Sequence, residues 1–394
     1  MSMVNHRASH SNFIALTTAA AMVCAAIVGF GLILYSQSLQ SGYVVVTSDS
    51  VRPAPVGAAL FSYSVNGVLV SQAGVGSAEP IQKGRIFVDQ APGVRTGLVL
   101  VNPNGANAAV VLTLRDAAGA QISQQVQVLT PGQHLARFAD ELLTTIPPGF
   151  AGSLTFESDA NLAALTLRES RNGRNESLYT TLPVANLASV STDPVVFPQI
   201  AAGGEYTTQI VLINRSTSRI RGQVRLFAND GRPLPLESGG TTAPDFAYQI
   251  EPNGVYRREL GNSQGLVVGY AVAAPDTSDA PAGAAIFQFK RGGQTVTEAG
   301  VAATSGTALA RIFVDQAGSR TGVAIANTNN ATADVNLTLM DRFGSAEATT
   351  VRTIPANGHE AYFVDEIFTG LPGGFTGLLE IRSSVPVSPI TLKI

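Results

Sequence analysis

RIFVDQ occurs twice in this chain, at Arg85 to Gln90 and at Arg311 to Gln316, with the copies starting 226 residues apart. The flanks repeat with it. GAALFSYSVNGVLVSQAGV (Gly57 to Val75) returns as GAAIFQFKRGGQTVTEAGV (Gly283 to Val301), and RTGLVLVNPNGANAAVVLTLRD (Arg95 to Asp116) returns as RTGVAIANTNNATADVNLTLMD (Arg320 to Asp341). A duplication of that length sets the architecture.

Between the copies lies a more divergent third. TTQIVLIN (Thr207 to Asn214) matches TGLVLVN, GQVRLFANDG (Gly222 to Gly231) matches VVLTLRDAAG, and YQIEPNGVYRREL (Tyr248 to Leu260) matches the strand–turn–strand around Pro131. LVVGYAVAAPD (Leu266 to Asp276) matches both SLTFESD (Ser153 to Asp159) and LQSGYVVVTSD (Leu39 to Asp49). The period is therefore about 110 residues, too long for a propeller blade or solenoid turn, so each copy is expected to form its own domain in a string of domains.

Within a copy the apolar residues alternate over short runs, the pattern of half-buried strands. YVVVTSD (Tyr43 to Asp49), AALFSYS (Ala58 to Ser64) and VLVSQAGV (Val68 to Val75) read as strands, with Asn66-Gly67 as a type I′ hairpin turn. GLVLVN (Gly97 to Asn102), VVLTLRD (Val110 to Asp116), ISQQVQVL (Ile122 to Leu129) and HLARF (His134 to Phe138) follow, separated at Gly119 and Pro131-Gly132. Asp140 to Ile146 reads as a helical turn capped by Asp140. SLTFESD, LAALTLRE (Leu162 to Glu169) and SLYTTLPV (Ser177 to Val184) complete the set, the last two joined by a hairpin loop starting at Asn172-Gly173. No helix of 10–15 residues separates strands as βαβ units require. Closely spaced strands punctuated by Gly and Pro instead predict an all-β fold of tandem immunoglobulin-like β-sandwiches after an N-terminal hydrophobic helix.

Composition agrees. Of 394 residues 45% are apolar and 13% charged, with 39 Gly, 21 Pro and no Trp, a mixture suited to strands and tight turns. Net charge is −3 without a basic run, so nucleic acid is not an expected partner. The single cysteine, Cys24, leaves no disulfide to hold the repeats, and packed cores must do so.

Phe13 to Tyr35 carries no charge and follows Arg7. Its length reaches a bilayer span and exceeds an ordinary signal core. Arg52 is the next cation, which places the N-terminus in the cytoplasm and the remainder outside. A retained signal-anchor crossing the membrane through residues 13–35, and a long cleaved signal peptide with a site near Ser36 and Ser38, are both open. A lipoprotein role for Cys24 is disfavoured by Val23 before it.

The expected organisation is a leader over 1–38, a partial β module over 39–80 matching the second half of a repeat, and modules over 85–185, 195–303 and 307–394. The last lacks a counterpart of SLYTTLPV, since PITLKI (Pro389 to Ile394) matches AALTLRE. Three accounts stand: truncation, permuted boundaries (43–150, 153–262 and 265–375 plus two spare strands), or exchange of an edge strand between molecules.

The phrases VFPQIAAGGEYTTQIVLIN (Val196 to Asn214), AAIFQFKRGGQTVTEAGVAA (Ala284 to Ala303), RTGVAIAN (Arg320 to Asn327) and FTGLLEIRSSVPVSPITL (Phe375 to Leu392) resemble tandem immunoglobulin-like modules of exported proteins of acidobacteria and similar bacteria. The resemblance covers everything after residue 39. It implies β-sandwiches, export and a larger multi-module protein, without an established activity.

Chemistry is sparse. His134 and His359 sit at equivalent positions after a turn, where the middle copy has Val255, and read as strand-edge residues. With no cysteine among the modules, a His/Cys zinc site cannot be assembled. Asp89 and Asp315 repeat, as do Asp140-Glu141 and Asp365-Glu366, the latter pairs at the start of a helical turn where carboxylates meet free N–H groups. DGRPLPLESGG (Asp230 to Gly240) and DTSD (Asp276 to Asp279) are the candidate calcium loops and read as solvated turns. Asn-x-Ser/Thr triplets at Asn175, Asn214, Asn330 and Asn336 are glycosylation acceptors only in a eukaryotic secretory host. No catalytic, cofactor or metal residue is assigned. The expectation is a non-enzymatic exported structural or adhesive protein displaying loops at the cell membrane or secreted. The alternatives are an array binding glycan or extracellular matrix, or an accessory region of an extracellular hydrolase; self-association through unpaired edge strands is a further expected partner.

Overall fold

Alternation decides which side of each strand meets the core. In Asp245–Ile250 the residues Phe246, Tyr248 and Ile250 are buried while Asp245, Ala247 and Gln249 are exposed, the period-two signature of a sheet with one dry face. The computed structural model describes residues 41–47, 55–143, 146–276 and 279–393, and in these the protein is nearly all antiparallel β-sheet. The apolar segment 13–35, the leader 1–38 with Cys24, and parts of the 43–49 and 276–279 stretches lie outside them. Among the described residues no helix is long and apolar enough to cross a membrane.

A hairpin comes first, β1 (Ala58–Val65) and β2 (Val68–Gly76). Its turn is the expected one, with Asn66 and Gly67 both at positive φ. The first sandwich contains β3 (Ile81–Asp89), β4 (Val94–Val101), β5 (Ala108–Asp116), β6 (Gln121–Leu129), β7 (His134–Phe138), the helical turn α1 (Ala139–Leu142), β8 (Ala151–Arg171), β9 (Ser177–Leu182) and β10 (Ala185–Asn186). The first half of β8 pairs with β3 and β5, and its second half with β4 and β9. One long strand thus belongs to both sheets, and Leu98, Leu112, Leu154 and Phe156 fill the space between them.

The second sandwich runs through β11 (Val195–Ala202), β12 (Tyr206–Ile213), β13 (Ile220–Ala228), β14 (Leu236–Ser238), β15 (Thr241–Ala243), β16 (Asp245–Ile250), β17 (Val255–Leu260), β18 (Val267–Pro275), β19 (Ala282–Arg291) and β20 (Gln294–Ala302). Its sheets are β11-β18-β13-β16 and β17-β12-β19-β20. Here β18 and β19 take the places of the two halves of β8. Pro275 and Pro281 stand on either side of the break. The third has β21 (Thr307–Asp315), β22 (Thr321–Ala326), β23 (Ala333–Asp341), β24 (Ala346–Ile354), β25 (His359–Phe363), α2 (Val364–Ile367) and β26 (Thr376–Lys393), with β26 again serving both sheets. Each sandwich has its own apolar core.

One position explains a repeated glycine. A Cβ at Gly152, Gly269 or Gly377 would sit 2.2, 2.0 or 2.1 Å from the carbonyl oxygen of Arg115, Phe227 or Met340 across the ladder. Only glycine permits that approach.

Four expectations are corrected. Residues 43–47 form no strand, and Val44 to Val46 are exposed. SLTFESD and LAALTLRE are one strand, not two: β8 runs unbroken from Ala151 to Arg171, its first half pairing in one sheet and its second half in the other. Asp140 is not the cap of its helical turn. Phe138 holds that position, and Glu141 accepts its N–H while Asp140 pairs with Arg95. The sandwiches also do not hang as separate beads, because side chains from neighbours share buried clusters.

Candidate functional site: the joints between sandwiches

The outward-facing residues of RIFVDQ build the first joint. Ile86 and Val88 point into the first core, so the alternation sends Arg85, Phe87 and Asp89 the other way. Arg85 donates to the Asn214 carbonyl and, at 2.7 Å, to Asn253 Oδ1 of the second sandwich, while Nε holds Thr155 Oγ1 at 2.9 Å. Burial and the neighbouring Arg115 push the Arg85 guanidinium down to about 10, still charged at neutral pH. Phe87 is 1% exposed and belongs to a buried cluster with Val211, Ile213, Val255, Ala284 and Ile286 of the second sandwich.

Asp89 belongs to a buried ion cluster. Arg168 Nη1 donates to Asp89 Oδ2 and Nε to Glu298 Oε1, both at 2.8 Å, and all three side chains are at most 4% exposed. Arg257 approaches Asp89 at 3.7 Å, and Gln288 donates to the other Glu298 oxygen at 2.8 Å. Burial alone would lower the Arg168 pKa, but the Glu298 and Asp89 carboxylates outweigh it and hold it raised.

The same joint recurs with different chemistry. The residue after the close-approach glycine is Ser153 in the first sandwich and Tyr270 in the second. Their hydroxyls donate to the Asn253 and Asn357 carbonyls of the following sandwich, at 3.3 and 2.9 Å. Tyr43, which follows Gly42, donates likewise to the Gly132 carbonyl at 3.0 Å. The three acceptors stand at one turn position, all at positive φ (Gly132 70°, Asn253 64°, Asn357 56°), which explains why only Gly and Asn occupy it. Backbone contacts repeat too, with Val255 N–H donating to Ala117 O at 3.0 Å and His359 N–H to Asn229 O at 2.9 Å. Phenylalanine at position 270 removes one such bond and is expected to lower stability by about 1 kcal/mol in urea titrations.

His359 opens β25 directly after the turn, and the second joint covers it. It is 2% exposed in the second joint, its Nδ1 2.9 Å from Asn229 Oδ1 and its ring 6.0 Å from Tyr270. Burial pushes its pKa down to about 4. His134, its counterpart, packs edge-on against Tyr43 at 6.2 Å. The carboxylate pairs are staples. Arg95 holds Asp140 and Glu141 at 2.9 and 3.0 Å while lying over Phe138, and Arg320 holds Asp365 and Glu366 at 2.8 and 3.2 Å over Phe363. Asp315 pairs with Lys393 at 2.6 Å, as Asp89 does with Arg168. Asp230 pairs with Arg232.

A second element repeats in all three copies. GLVLVN, TTQIVLIN and RTGVAIAN all end in Asn, and Asn102, Asn214 and Asn327 are fully buried. Each Nδ2 donates to the carbonyl four residues on (Ala106, Ser218, Ala331, at 2.8, 2.7 and 2.8 Å) and to a carbonyl where the chain leaves β6, β16 or β24 (Leu129, Glu251, Pro355). Asn214 is thus closed to glycosylation in the folded chain.

Among the described residues no three His, Cys, Asp or Glu side chains gather as a metal-binding group. The Arg168 ion cluster and the Ser153 and Tyr270 hydroxyls are paired at the joints, while Gln199 Oε1 beside the second joint is buried without a hydrogen-bond partner. A groove of about 220 Å³ opens beside the second joint, between Gln199 and the outer face of β22, β25 and β26. Compared with known proteins, the chain matches no family model, and no curated protein is significantly similar to it.

Proposed function

We propose that this is a non-enzymatic structural or adhesive protein, exported and held at the cell membrane or secreted. Tandem immunoglobulin-like sandwiches would act in it as a stiff support for their loops. The recurrence of one joint carries this reading. The hydroxyl-to-carbonyl bond onto the left-handed turn residue occurs at Tyr43, Ser153 and Tyr270, and a spacer needs each copy to dock on the next in the same way. Two of the joints also bury apolar clusters, and one buries charge, so relative motion of neighbouring sandwiches is opposed beyond what a flexible linker offers.

The site's chemistry supports the same reading, since the titratable groups picked out by repetition are engaged in pairing rather than aimed into a shared cleft. The test is placement. The full chain with a C-terminal epitope, produced in a bacterial host, is expected to lose the epitope when protease is added to intact cells. An epitope that stays protected until the cells are broken would remove the basis for display.

A further inference from the structure

We infer that the outer face of β21 and the first half of β26 is a docking site for another sandwich of this repeat, one whose outer sheet resembles that of the second, an inference that goes beyond the display reading and does not depend on it. The chain covers this kind of face once and leaves it open once. RIFVDQ is identical at Arg85 to Gln90 and at Arg311 to Gln316, and in both places the alternation turns Arg, Phe and Asp away from the core of their own sandwich. Phe87 is covered by the second sandwich, whereas Phe313 is 50% exposed. Leu309, on the same side of β21, and Phe343, in the turn after β23, are exposed as well. Large apolar side chains gathered on one exposed face mark an interaction surface.

The polar parts of the first joint are present there too. The ladders set Arg85 opposite Thr155 and Arg311 opposite Glu380, and each Nε donates to that partner, at 2.9 and 2.7 Å. Lys393 pairs with Asp315 as Arg168 does with Asp89. The turns correspond as well. In the two joints the Ala117 and Asn229 carbonyls accept the N–H of Val255 and His359, and Gly119 and Gly231 lie against the Pro252 and Asn357 carbonyls of the following sandwich. Arg342 and Gly344 hold these places after β23. Gly344 keeps the φ of 85° found at Gly119, with nothing among the described residues within 4 Å of a Cβ placed on it.

The first joint shows what fits such a face. Phe87 is buried with Val211, Ile213, Val255, Ala284 and Ile286. Arg85 donates to the Asn214 carbonyl, Arg168 holds Glu298, and Arg257 stands 3.7 Å from Asp89. The second joint is built from VFPQIA in place of RIFVDQ, so the third sandwich calls for a partner like the second sandwich rather than like itself. That partner offers an aliphatic outer sheet to Phe313, a carbonyl to Arg311, a carboxylate to Lys393 and a cation to Asp315.

The probe is a chain of residues 195–394 carrying Phe313→Asp. No residue before Val195 enters its two cores. Leaving out the first sandwich uncovers the Val211 face, and the substitution keeps the probe from binding copies of itself. Titrated against the 42–394 chain in sedimentation velocity, it is expected to form a one-to-one complex with Kd on the order of 10 μM. Phe313→Asp in the 42–394 chain, or Val211→Asp added to the probe, is expected to weaken the complex at least about tenfold. Arg311→Leu in the 42–394 chain is expected to weaken it about fivefold. All three changes lie on faces open in the chain that carries them, so urea midpoints should match those of the parents. Absence of a complex at about 200 μM probe, or a complex undiminished by Phe313→Asp or by Val211→Asp, overturns the assignment.

Discussion

Arg168→Met lowers the stability of the chain by about 3–5 kcal/mol, because it strands two carboxylates in a joint that water does not reach. Asp89 and Glu298 are 4% and 0% exposed, and each takes a 2.8 Å bond from the one guanidinium. Arg257, the other cation near Asp89, is 3.7 Å away and half-exposed, so it replaces little of what is lost. Adding Glu298→Gln to Arg168→Met is expected to restore part of the loss, since one of the two stranded carboxylates is then neutral while Asp89 stays buried and charged. That non-additivity separates a desolvated ion cluster from ordinary side-chain packing. Urea titration of the 42–394 chain measures both variants. A loss below about 1 kcal/mol for Arg168→Met, or none of it recovered by the second change, would mean that the cluster contributes as surface pairs do. Salt provides an independent check, since a buried pair is poorly screened and the loss should persist at high ionic strength.

The cluster also shows why RIFVDQ is so legible while its meaning is not. A strand that must bury both faces, one on its own core and one on a neighbour, is constrained at every position. Ile86 and Val88 answer to the first core, and Arg85, Phe87 and Asp89 answer to the second sandwich. Repetition records that constraint, but the partners of Arg85 lie 129 and 168 residues downstream, beyond the reach of local pattern. Alternation and turn chemistry, being local, located the strands and the Asn66-Gly67 turn. They failed where pairing partners decide, as in residues 43–47, whose strand-like pattern pairs with no strand among the described residues, and in β8, where two runs separated by polar residues are one strand crossing between sheets. Likewise Val255 in place of His359 looked like evidence against importance. At a joint it means only that two neighbours solve the same packing problem differently, one with an aliphatic side chain and one with an imidazole bonded to Asn229. The terminal Asn of three strands was available to sequence comparison and, like the close-approach glycine, has the same role in every copy.

His359 makes the second joint the acid-labile one. Its imidazole is held at about 4 by burial, against an ordinary value of 6.5, so the folded chain keeps it neutral where the unfolded chain would protonate it. The stabilisation from this group is complete above pH 6.5 and is lost progressively as pH falls from 6.5 toward 4, amounting to about 3 kcal/mol at the low end. Charged groups on the surrounding elements do not offset this, because Asp230 is paired with Arg232 and Glu360 with Arg352. Acid also protonates Asp315, Asp365 and Glu380, whose Arg and Lys partners hold their pKa values down, so the whole chain loses stability at low pH. The His359→Val chain, carrying the residue found at the equivalent position of the first joint, isolates the imidazole. It should be slightly less stable at pH 7, where the bond to Asn229 is missing, and more stable than the parent at pH 4, so the two stability curves cross between these values. Parallel curves from pH 7 to pH 4 would show that the joint opens to admit the proton without a cost, which a ring 2% exposed and stacked on Tyr270 does not permit.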